Sequence, residues 1–103
     1  MRPRFSLVVR PLARRDIAEA AQWYDDREAG LGDRFLTRVS AAAEAARTAP
    51  EQYRTVYRDV RRILVADFPY ALFFVTRGTT LHVLACMHGR RHPSRWQSRV
   101  GAV

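Results

Sequence analysis

The chain has 103 residues, enough for one domain over 1–103 that buries about two-thirds of its unfolded surface and folds alone. Hydrophobic residues make up 48% and charged residues 27%, which excludes a disordered or low-complexity chain. Eighteen basic residues stand against ten acidic, all eighteen are arginine, and the surplus is lopsided: residues 1–53 hold nine arginines and eight carboxylates, residues 54–103 nine and two.

A basic half of this kind points to a polyanionic partner, either nucleic acid or an acidic protein segment. The longest apolar run, residues 68–75, is far short of a membrane span. Residues 5–9 are too few for a signal-peptide core and are cut off by Arg10. Cys86 is the single cysteine, which excludes an internal disulfide and suits a reducing cytoplasm, where the protein is expected. Three histidines and one cysteine without ligand spacing give no reason to expect a metal or a cofactor.

In chain order, residues 5–10 read as a short strand stopped by Pro11, which is well placed to open a helix. A first helix is predicted over 13–28. Its apolar stripe is Ala13, Ile17, Ala20, Ala21 and Tyr24, and the alanines let it lie close to its neighbour. Trp23 falls beside that stripe. Asp25, Asp26 and Glu28 sit at the end where the helix dipole favours cations. Gly30-Leu31-Gly32 breaks the chain, and a second helix follows over 33–48, with Phe35, Leu36, Val39, Ala42, Ala43 and Ala46 on one face and Pro50 beyond its end. Residues 52–59 are polar and read as a loop.

From Arg61 onward the pattern changes to strands. Apolar runs at 63–66, 70–75 and 81–87 are bounded by Asp67-Phe68-Pro69 and by Arg77-Gly78-Thr79-Thr80. The second and third form a hairpin, so the expectation is an antiparallel meander carrying the helical hairpin: an α+β fold of order βααβββ. Strict alternation would place Leu81, Val83, Ala85 and Met87 on one face and His82, Leu84 and Cys86 on the other. Both faces are apolar, so either the rest of the chain or a partner must cover the second. After His88 come four arginines, His92, Pro93 and Trp96. That stretch reads as a loop and short turn anchored by Trp96.

Trp23-Tyr24, Gly30-Leu31-Gly32-Asp33-Arg34-Phe35, Pro50, Val60-Arg61-Arg62, Phe68-Pro69-Tyr70, Val83-Leu84-Ala85 and His88-Gly89-Arg90-Arg91-His92-Pro93, with Trp96 and Arg99, follow one another in register. Together they resemble the ParE branch of the RelE/ParE toxin superfamily, the toxic halves of bacterial type II toxin–antitoxin modules, over roughly residues 8–99. The resemblance implies a compact toxin neutralised by a cognate antitoxin. In that family the antitoxin packs an amphipathic helix on the helical hairpin and often adds a strand. On this pattern Ile17, Tyr24, Phe35 and Val39 are the expected antitoxin contacts.

Two activities follow from the resemblance. ParE-like toxins poison DNA gyrase by contact, and the expected target-binding residues are then Arg90, Arg91, Arg95, Arg99 and Trp96. RelE-like toxins cut messenger RNA on the ribosome, which needs a base, an acid and cations for the phosphate. His88 is the expected acid there, with Arg61 or Arg62, which alternation puts on opposite faces. No base matches a catalytic pattern: arginine keeps its proton, lysine is absent, and Glu51, Asp59, Asp67 and His92 are the neighbouring candidates. The incomplete set favours gyrase inhibition. A degenerate toxin kept as a binding module is a further possibility. Sequence-specific DNA binding by the chain alone has no helix-turn-helix or ribbon signature behind it.

Overall fold

Pro11 ends one element and begins the next, as expected, in the computed structural model, which describes residues 5–102. Strand β1 is Ser6–Val9 and helix α1 is Pro11–Arg27. Ala13 and Ala20 are buried under α1, and Trp23 stands half exposed with the Arg27 guanidinium 3.3 Å from its ring centre. Helix α2 is Leu31–Thr48, entered through Gly30 at φ 90°. Here the misplaced acid of α1 finds its reason. The Asp25 carboxylate accepts the backbone N–H groups of Gly30 and Gly32, each at 3.0 Å. It caps α2, where negative charge is favourable, from the end of α1. Gly32 is required for close crossing of the helices, since a Cβ there would lie 2.5 Å from the Ala21 carbonyl oxygen.

The meander is longer than the sequence suggests. A 3-10 turn at Pro50–Gln52 leads into strand β2, Thr55–Tyr57, inside the stretch read as a loop. Three residues with an irregular register are too few to show alternation. Strands β3 (Val60–Leu64), β4 (Tyr70–Arg77) and β5 (Thr80–His88) follow. The corner between β3 and β4 places Asp67 at φ 71° and ties its carboxylate to Arg38 of α2 at 2.8 Å. Asp59 pairs with Arg77, so neither acid serves Arg61 or Arg62.

The strand order is β1-β5-β4-β3-β2. The fold is α+β as expected, but the sheet is mixed: β1 runs parallel to β5, from Ser6↔Thr80 to Val9↔Val83. Short turns make β2 to β5 antiparallel, whereas β1 is separated from β5 by both helices and no local signal sets its direction.

The facing of β5 also departs from strict alternation. Phe73 pairs with Ala85 and Phe74 with Val83, so Leu84 is a bulge. Leu81 and Val83 face the helices beside Leu72 and Phe74, and beyond the bulge Cys86 joins them. Leu84, Ala85 and Met87 face away. The chain itself covers most of that second face. A short helix α3, Ser94–Gln97, lays Trp96 on Phe73 with centroids 4.3 Å apart, and Val100 packs beside it.

Candidate functional site

Three surfaces carry candidate residues. The first is a groove between α1 and α2, floored by Leu7, Val9, Ile17, Ala21, Leu36 and Val39 and enclosing about 800 Å³. Of the expected antitoxin contacts, Ile17 and Val39 line it. Phe35 does not, being fully buried against Tyr24, Phe68 and Tyr70. Tyr24 belongs to the same aromatic cluster and is half-buried. The helical stripe is broad enough that one rotation step separates core from groove: Leu36, counted with the buried face from sequence, is instead exposed in the groove. Strand β1 borders the groove and lies at one end of the strand order, so one side of it is open to strand addition.

The second surface lies between α1 and the C-terminal segment. Arg99 grips Asp16 with two contacts, Nη1 to Oδ2 at 2.7 Å and Nη2 to Oδ1 at 3.2 Å. Arg99 Nη1 also donates to the Leu84 carbonyl at 3.0 Å, and the Cys86 N–H donates to Asp16 Oδ2 at 3.0 Å. The ion pair thus takes up the polar groups that the β5 bulge leaves out of the ladder. Burial, and then the Asp16 charge, push the Cys86 thiol from 9.0 up to about 12. Two of the expected target contacts, Arg99 and Trp96, lie at this surface. Arg99 is held by Asp16, and Trp96 is buried, with 5% of its surface exposed. Sequence gave no signal for Asp16, which lies 83 residues from its partner.

The third surface begins at the end of β5. Arg90, Arg91 and Arg95 are exposed there. His88 is half-buried, its ring edge-on to Tyr70 at 5.4 Å. Its Nδ1 accepts the Arg90 N–H at 3.0 Å, so a neutral His88 carries its proton on Nε2. Burial first, and then the neighbouring Tyr24 and Cys86, raise the Tyr70 phenol above 10.0, against a lowering by Arg91.

Of the residues expected for ribonuclease chemistry, Arg62, His88 and the candidate base Asp67 line one trench, but Asp67 is paired with Arg38 and Arg61 lies apart. Arg61 stands opposite Phe74 and His88 opposite Tyr70. Four steps along β4 offset them by roughly 13 Å in the strand direction, and β4 itself lies between them. Arg61 is engaged with the backbone carbonyls of Tyr53 and Glu51, while Arg62 is exposed on the other face. His82 is half-buried with its Nδ1 lacking a hydrogen-bond partner, and it shares a face with Leu84 but not, because of the bulge, with Cys86. Among the described residues no three His, Cys, Asp or Glu side chains could hold a metal, and no helix is long and apolar enough to cross a membrane.

Residues 7–93 match the family model described as the ParE toxin of the type II toxin–antitoxin system parDE. Among solved structures, the chromosomal ParDE toxin–antitoxin system from P. aeruginosa is similar in fold, with a TM-score of 0.74 at 14% identity. The match covers 82% of this chain and 95% of that one. No curated protein matches.

Proposed function

The chain belongs to the ParE toxin family of type II toxin–antitoxin systems, and from that premise we propose that it arrests growth in the cytoplasm by binding DNA gyrase. A cognate antitoxin neutralises it. The observation that carries this reading is the disposition of its arginines. Arg90, Arg91 and Arg95 present free charge beyond β5, which suits contact with an acidic protein surface. Of the arginines that a ribonuclease would use with His88, Arg61 stands four residues away along β4, and Arg62 shares a trench with His88 whose one carboxylate, Asp67, is already paired with Arg38. The antitoxin reading is supported by the α1–α2 groove, whose Ile17, Leu36 and Val39 suit the apolar face of an amphipathic helix.

The test uses the purified chain with gyrase and relaxed plasmid. Supercoiling should stop, broken DNA should accumulate on denaturation, and added antitoxin should restore activity. Reversing charge at Arg90, Arg91 and Arg95 together should abolish inhibition while leaving the melting curve and antitoxin binding intact. Undiminished inhibition by that variant removes the surface from the mechanism.

A further inference from the structure

The roof formed by Trp96 and Val100 does not reach β3. Leu64 of β3 is 68% exposed, the most exposed large hydrophobic among the described residues. It opens onto a trench floored by Val56, Phe73 and Met87, with Pro93 and Trp96 on the opposite wall. The trench encloses about 630 Å³, room for a short peptide segment that carries a large side chain. Arg62 and Arg91 are the arginines along it, and Asp67 is its only carboxylate. Asp67 is already paired with Arg38 at 2.8 Å. Among the described residues neither Arg62 nor Arg91 forms an ion pair.

We infer that the toxin's target inserts an acidic segment into this trench, with one large apolar side chain seated against Leu64 and carboxylates beside Arg62 and Arg91. The inference rests on the gyrase reading for the identity of the target and deepens it by naming the contact. Two observations select this occupant. An apolar floor rewards a desolvated anchor, and a rim of one sign selects the opposite charge. The trench is also continuous with the Arg90–Arg91–Arg95 surface through Arg91, and lies on the sheet face opposite the α1–α2 groove. The antitoxin helix and the target segment therefore occupy different faces. Burying Leu64 fully accounts for on the order of tenfold to a hundredfold in affinity.

The experiment compares wild type with Leu64→Asp and with Arg62→Glu/Arg91→Glu, each purified as the full chain. Inhibition of gyrase supercoiling, growth arrest after induction, antitoxin affinity and thermal melting are measured in parallel. Leu64→Asp should lose at least tenfold in inhibition and relieve growth arrest, with melting and antitoxin affinity unchanged. The double arginine variant should weaken inhibition and flatten its dependence on salt. Wild-type potency of Leu64→Asp in both inhibition and growth arrest overturns the trench. A loss of antitoxin affinity in Leu64→Asp overturns it too, since the antitoxin would then be the occupant. Growth arrest that Leu64→Asp relieves while wild type leaves gyrase untouched supports the trench and refutes the gyrase reading alone.

Discussion

Replacing Asp16 by Asn should destabilise the protein more than any other single surface-facing change of one charge. The Asp16 and Arg99 side chains are only 14% and 16% exposed. Losing the carboxylate strands the Arg99 guanidinium and removes the anionic acceptor of the Cys86 N–H. Breaking a buried ion pair from one side costs about 3–5 kcal/mol, and the residual solvent access here puts the change near 3 kcal/mol. In a domain of this size that lowers the melting temperature by about 12–24 °C. Arg99→Met should cost a similar amount, because Asp16 is then the stranded charge. The double variant should cost less than the two singles added, with a coupling of about 2 kcal/mol. Circular-dichroism melts and urea titrations of the four proteins measure this directly. Single variants that melt within about 2 °C of wild type would refute the role assigned to the pair.

Gly32→Ala should destabilise by about 2–3 kcal/mol, because its Cβ would meet the Ala21 carbonyl at 2.5 Å and the helices must separate; urea titration reads the loss. Leu36→Glu, at a groove position 39% exposed, should weaken antitoxin binding by at least a hundredfold in calorimetry while the melt is unchanged. Cys86 titrates near 12 in the folded chain against 9.0 unfolded, so the folded state holds more protons between those values. Its stabilising contribution is complete below pH 9 and falls as pH rises from there, by up to about 1.4 kcal/mol per unit. Tyr24 and Tyr70, both raised above 10.0, act in the same direction, and urea midpoints from pH 8 to 11 should decline accordingly. His88→Ala should leave growth arrest intact; a loss of orders of magnitude would instead indicate ribonuclease chemistry.

Much of the fold is legible because its signals are local. Pro11, Gly30 and Pro50 mark the ends of helices whose apolar stripes repeat at three and four, and Gly78 marks the β4–β5 turn. What sequence missed was nonlocal or phase-free. The direction of β1 depends on pairing with a strand about 70 residues away. The bulge at Leu84 is invisible because β5 is apolar on both faces, so a shift of one residue leaves the pattern of residue types unchanged. Asp25 is unfavourable at the end of α1 by local rules, and only the turn at Gly30 brings it to cap α2. Among the candidate residues, the exposure of Arg90, Arg91 and Arg95 is readable from charge alone. Arg99 was not distinguishable from them, because its partner Asp16 comes from the other end of the chain. Phe35 and Leu36 are adjacent on an apolar stripe, and only packing on α1 and the Phe68 corner decides which is core.

The most direct test is a pulse-label after inducible expression in a bacterial host, following DNA and protein synthesis separately. DNA synthesis should stop first, with gyrase trapped on broken DNA, and coexpressed antitoxin should restore it. Protein synthesis stopping first, with messenger cut at ribosome-bound codons, would contradict the account.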